Sequence, residues 1–133
     1  MARGELQLGD LEIATLEEVW RAGDGDARSI HAKIGAGRGN TLQTIQSTLE
    51  RLHRKGLLAR ERVGHAYVYT PIESRDAVMA RLIEGSLNRF SDGRGDGLLA
   101  AFAGYASKAD PQMLDALEAL IREHKRRDGE GSA

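Results

Sequence analysis

From Asp10 to Arg21 the apolar residues Leu11, Leu16, Val19 and Trp20 return at helical spacing, with Ile13 alongside. Asp10 is placed to cap this helix, and "AGDG" stops it. A short helix is expected from about Ser29 to Ile34, capped by Ser29, before "GAGRG" (35–39) forces a turn. A third helix, capped by Asn40, should run to about Lys55. Its Leu42, Ile45, Leu49 and Leu52 stand at i, i+3, i+7 and i+10 and form one apolar stripe. Gly56 ends it. The period then changes from 3.6 to 2. "LLARERV" and "AYVYTP" alternate on either side of Gly64-His65, which predicts a β-hairpin closed by Pro71.

Beyond Pro71 the pattern is helical only. Ser74 caps a helix through about Phe90, with Val78, Leu82, Ile83, Leu87 and Phe90 on its apolar face. "SDGRGDG" (91–97) reads as a loop, and "LLAAFAGYA" (98–106) as a short, very apolar helix. Asp110-Pro111 opens a last helix to about Arg127, through Leu114, Leu117, Leu120 and Ile121, and "RRDGEGSA" should fray. The expected fold class is mainly α with a small β-hairpin, and the hairpin closes the first of two domains, residues 1–72.

Composition narrows the function classes. A chain of 133 residues, 41% apolar and 29% charged, suits one compact domain or two small ones and is too apolar for general disorder. It has no apolar run long enough to span a membrane and no signal-like start, so a cytoplasmic protein without a membrane partner is expected. Without cysteine there is no disulfide, thiolate metal site or Cys nucleophile. His31, His53, His65 and His124 are scattered, so no metal and no cofactor are expected. No nucleophile elbow or P-loop is present, and "GAGRGN" follows a helix where a dinucleotide loop would follow a strand, which argues against an enzyme.

The net charge of −1 hides an uneven distribution. Residues 1–37 carry −3, residues 38–65 carry +4 and residues 66–133 carry −2. A basic block in a neutral chain points to an anionic partner, although a salt-bridged solvated surface gives the same count. The order helix, short helix, capped helix, hairpin is that of a winged helix-turn-helix, in which the helix after the turn enters the DNA major groove. Opposite its apolar stripe that helix presents Gln43, Thr44, Ser47, Arg51 and Arg54. Gln can pair bidentately with adenine, Ser and Thr can donate or accept, and Arg can hold phosphate.

"LGDLEIATLEEVW" with "TLQTIQSTLERLHRKGLLARERVGHAYVYTP" resembles the penicillinase-repressor family (BlaI/MecI, with CopY as a relative) over about residues 8–71. The similar features are an "LG-x-LE" helix ending in Trp20, a Thr41-to-Thr44 start to the recognition helix, its exit from Leu49 to Leu58, and a Gly64-to-Tyr69 wing. The resemblance implies a homodimeric repressor on palindromic double-stranded operator DNA, with residues 73–127 as a helical dimerisation domain and 128–133 as a flexible tail. It assigns DNA contact to Thr41, Gln43, Thr44, Ser47 and Arg51, and to Arg62, His65 and Tyr67 on the wing; Arg54 is added from its place on the outer face of the helix. Capping for Thr41, an ion pair for Arg51 and core packing for one of Tyr67 and Tyr69 stand as alternatives. The family also implies an inducing protease acting at an Asn-Phe bond, here Ala101-Phe102, where the Asn is missing. The cysteines of the copper-sensing branch are missing too. A winged-helix protein-interaction module, or a ligand-responsive winged-helix regulator of another family, would share the same layout.

Overall fold

The computed structural model describes residues 5–89 and 96–131. In chain order the elements are α1 (Asp10–Ala22), α2 (Ala27–Ile30) continued by a π-helical turn (His31–Gly35), α3 (Leu42–Arg54), β1 (Leu58–Val63), β2 (Ala66–Pro71), α4 (Arg75–Arg89), α5 (Asp96–Ala109) and α6 (Pro111–Gly131). Two compact units result, residues 1–86 and 87–133. The first therefore reaches past residue 72 into α4, because Val78 is buried in its core and Leu82 packs against that core.

The core of the first unit is made by Leu16 and Val19 of α1, Ile30 of α2, Ile45, Leu49 and Leu52 of α3, and Leu57, Leu58 and Tyr69 at the base of the hairpin. Ile45, Leu49 and Leu52 are fully buried, each at 0% exposure. The stripe read from the sequence is thus the face that docks, and Leu42, at its first turn, is only half-buried. Truncating one of these leucines to Ala would cost about 2–5 kcal/mol. Trp20 lies half-buried against this core and donates from Nε1 to the Glu73 carbonyl oxygen at 3.0 Å, tying α1 to the chain after the hairpin. Ile13 is exposed, on the side of α1 turned away from the core.

Three helix starts differ from the sequence reading. Gly9, not Asp10, is the N-cap of α1, because Glu12 reaches back to the Gly9 amide at 3.0 Å. Asp26, not Ser29, caps α2: its carboxylate accepts from the Ser29 amide at 2.8 Å, so the helix begins two residues earlier. Thr41, not Asn40, caps α3, since its hydroxyl accepts from the Thr44 amide at 3.1 Å. The Asn40 carbonyl instead receives the His31 ring at 2.8 Å, which closes the turn. That turn needs glycine at 35, where an added Cβ would stand 2.6 Å from His31 Cδ2 and 3.2 Å from Ile45 Cγ1.

β1 and β2 pair antiparallel with Val63 opposite Ala66, so Gly64-His65 is a two-residue turn, and Gly64 supplies its positive φ of 64°. Gly25 adds a short third edge through two backbone bonds to Tyr69, at 2.8 and 3.0 Å. Ser74 caps α4 as expected, accepting from the Ala77 amide at 3.1 Å.

In the second unit α5 starts at Asp96, inside the segment read as a loop; Phe90 and the rest of that loop lie outside the described residues. The helix α6 runs to Gly131, beyond the expected end near Arg127 and through most of the expected tail. Ion pairs one turn apart extend it: Arg126 with Glu123 and Glu130, and Arg127 with Glu123.

Glu12 carries a pH dependence. Burial pushes its pKa up, but the Lys55 ammonium at 2.6 Å and the Gly9 amide outweigh that and hold it below its ordinary 4.5. A carboxylate favoured by the folded state stabilises it above the unfolded pKa, and the gain is lost as pH falls through the lower folded value. Thermal melts should therefore lose stability below about pH 4.5, with a shallower loss in Glu12→Gln. Equal slopes for the two proteins would remove Glu12 from the account.

Candidate nucleic-acid interface

Burying Ile45, Leu49 and Leu52 fixes the rotation of α3, and its other face is left to solvent. Gln43, Gln46 and Ser47 on that face are exposed, and their side chains make no hydrogen bond among the described residues. With Glu50, Arg51 and Arg54 they line a shallow groove along the helix. Short amide and hydroxyl groups here keep their full bonding capacity for an outside partner.

The two threonines at the start of α3 are more occupied. Besides capping, the Thr41 hydroxyl lies 2.9 Å from that of Thr44. Arg51 is exposed but leans on the Thr48 hydroxyl at 3.4 Å, and no acidic neighbour bonds it. Arg54 is exposed and without an ion pair among the described residues.

On the wing, the register puts Leu58, Arg60 and Arg62 of β1 opposite Pro71, Tyr69 and Tyr67 of β2 on one face. At its base this face is core: Tyr69 is 5% exposed. Towards the tip it opens, with Tyr67 at 40%. Of the two tyrosines, then, Tyr69 is the core residue. Arg62 and His65 are exposed near the tip, and Arg62 has no ion pair among the described residues.

The basic block divides in two. Lys55 is spent on Glu12 and the Gln7 carbonyl, and Arg60 on Glu50 and on the face of Tyr67, 4.4 Å from the ring centroid. Burial pulls the Arg60 pKa down, but Tyr69, Glu50 and Tyr67 outweigh it and leave it above the ordinary value. Arg38, Arg51, Arg54 and Arg62 stay exposed and without an ion pair among the described residues.

Sequence reasoning missed Gln46 and Arg28. Gln46 lies beside the expected set on α3, and helical-wheel geometry could have found it. Arg28 comes from α2 and shares with Gln46, Glu50, His65 and Tyr67 an open cleft of about 370 Å³ between helix and wing. Only tertiary structure brings it there. Ala101 and Phe102 belong to the second unit, where both lie within α5. Among the described residues, no cluster of three or more His, Cys, Asp or Glu could hold a metal ion, and no helix is long and apolar enough to cross a membrane.

Comparison with known proteins decides the family. The family model described as penicillinase repressor matches residues 8–123. The chain belongs to the penicillinase-repressor family. That family comprises transcriptional repressors, not enzymes, and the chain is a transcriptional repressor of this type. Among similar repressors, the transcriptional regulator BlaI of Mycobacterium tuberculosis is 29% identical over 118 residues, covering 88% of this chain and 84% of that one. The penicillinase repressor of Bacillus licheniformis is 26% identical over 125 residues, covering 93% and 96%. In fold, the chain is similar to the DNA-binding domain of the repressor BlaI, with TM-score 0.50 and 24% identity over 56% of this chain and 90% of that domain. The YusO protein of Bacillus subtilis shares the fold at TM-score 0.51 and 12% identity, over 89% of this chain and 75% of that one.

Capping and outward display separate in a stability measurement. Thr41→Ala should cost about 1 kcal/mol in urea unfolding, whereas Ser47→Ala should change it by less than about 0.5 kcal/mol. A larger loss for Ser47→Ala would mean that Ser47 serves the fold.

Proposed function

We propose that the chain represses transcription as a homodimer that lays two copies of α3 into successive major grooves of a palindromic operator. The observation that carries this reading is the exposed, unbonded row Gln43, Gln46 and Ser47 beside an unpaired Arg54, on a helix whose opposite face is core. Gln43 and Gln46 read base edges, with Ser47 one turn on from Gln43 and Thr44 at the flank; glutamine matches the donor–acceptor pair of adenine. Thr41 contributes mainly by fixing the start of the helix, where backbone amides and a partial positive charge face a phosphate. Arg51, Arg54 and Arg62 bind the backbone, and His65 and Tyr67 carry the wing along it.

The second unit supplies the dimer. Leu99, Phe102 and Tyr105 of α5, and Leu120 and Ile121 of α6, are 47–68% exposed. Apolar faces of that extent on two helices call for a partner, and a second copy of the chain gives the two-fold symmetry that a palindrome requires. We therefore keep residues 73–127 as the dimerisation domain, with the docked start of α4 as its link to the reader. A repressor of chromosomal DNA works in the cytoplasm. Cleavage at Ala101-Phe102 fits this picture poorly: the Asn is absent and the bond lies inside a helix, which must unwind before a protease can grip it.

Two results are expected. On a duplex that the protein selects from a random pool, Gln43→Ala or Gln46→Ala should each lose about 1–3 kcal/mol of discrimination at one base position. Arg54→Gln or Arg62→Gln should weaken selected and scrambled duplexes alike and lower the salt slope by about 0.9. Base preferences unchanged in both glutamine variants would take α3 out of the major groove. In sedimentation, Leu120→Glu combined with Ile121→Glu should turn dimer into monomer; an intact dimer would place the interface elsewhere.

A further inference from the structure

Arg60 is the half-buried arginine of the basic block, and its charge is turned inward, onto a carboxylate of α3. It sits in β1 on the inner face of the wing, beyond the last fully anchored pair of the hairpin. Leu58 is buried and Tyr69 nearly so, and Gly25 clamps Tyr69 from the other side. Past Tyr69 no buried apolar side chain holds the wing: Tyr67 is partly exposed, and Val63 at the tip is 57% exposed. A two-stranded hairpin has little stability of its own in water, so its tip takes its position from what ties it down.

The tie is visible. The Arg60 guanidinium is ion-paired to the Glu50 carboxylate of α3 and stands 4.4 Å over the ring of Tyr67, its diagonal neighbour on β2. Both side chains of the ion pair are partly sheltered, at 26% exposure for Arg60 and 37% for Glu50. One side chain thus joins the recognition helix to both strands of the wing. Only a planar cation can stack on a ring and bond a carboxylate at its edge, which is why lysine is a poor substitute. Glu50 also lies in the groove along α3 with Gln43, Gln46 and Arg54, so Arg60 neutralises the one carboxylate lining that groove.

We infer that Arg60 is a positioning residue, a brace that holds the wing at a fixed distance from α3 so that both engage one duplex together. This rests on the DNA-reading role proposed above for α3 and the wing. Wing phosphate contacts at Arg62 and His65 then depend on Arg60 without Arg60 touching DNA.

The test reads the wing with and without DNA. Amide hydrogen exchange of the free, full-length Arg60→Gln variant should quicken at residues 61–67 and stay at the wild-type rate in the core of α3. Affinity for a duplex that the wild-type protein selects from a random pool should fall about tenfold, and Arg60→Lys should lie between. Lost affinity with unchanged wing exchange would overturn the brace and make Arg60 a direct phosphate ligand. Faster exchange throughout α3 would reduce it to a general stabiliser. A loosened wing with undiminished affinity would overturn it as well. If the wild-type protein selects no duplex, the DNA-reading role fails, and the exchange data still decide whether Arg60 holds the wing.

Discussion

A helix can bury only one stripe, and α3 spends its stripe on the core. Ile45, Leu49 and Leu52 meet Leu16 and Val19 of α1, Ile30 of α2 and the base of the hairpin in one cluster. That contact sets the rotation of α3 about its own axis. Everything on the other side follows from it: Gln43, Gln46 and Ser47 stand in solvent because the neighbours that would have bonded them are on the far side. Displacing the stripe by one residue toward the C-terminus would turn the helix by about 100° and bring Thr48, now buried, outward. The proposed reading surface is a by-product of hydrophobic packing.

The second constraint is how the cations are divided. Lys55 and Arg60 close the first unit on itself, one at the end of α3 and one across to the wing. Arg38, Arg51, Arg54 and Arg62 are left without an ion pair among the described residues. A surface with all six cations unpaired would bind any polyanion; here part of the charge is neutralised by carboxylates fixed in place. The remainder suits a few phosphate contacts that hold a register while uncharged side chains read it. Among its described residues the second unit adds no comparable surface. Its α6 pairs Arg122, Arg126 and Arg127 with glutamates along its own length, and apolar side chains of both its helices are exposed.

Much of this was legible in the residues. The stripe of α3, the switch to period 2, the Gly64-His65 turn and the Ser74 cap all rest on neighbours close in sequence. The caps of the first three helices were missed by one to three residues. Runs such as "GDGDARS" and "RGNTL" hold several residues able to cap, and the choice is made by tertiary contacts, as when His31 takes the Asn40 carbonyl. The fate of Lys55 was hidden because Glu12 is 43 residues away. Arg28 was missed for the same reason, since α2 meets the wing only in the fold. The extension of α6 was written in the spacing of Arg126 with Glu123 and Glu130, and the glycines at 129 and 131 masked it.

The proposed function is that of a two-part repressor in which one unit reads DNA and the other pairs two copies of the chain. The measurement that tests this most directly is hydroxyl-radical and dimethyl-sulfate footprinting of the full-length protein on a duplex it selects from a random pool. The account predicts two protected major-groove segments related by a dyad, their centres about one helical turn, or a whole number of turns, apart. A single protected segment, or protection confined to the minor groove, would contradict it.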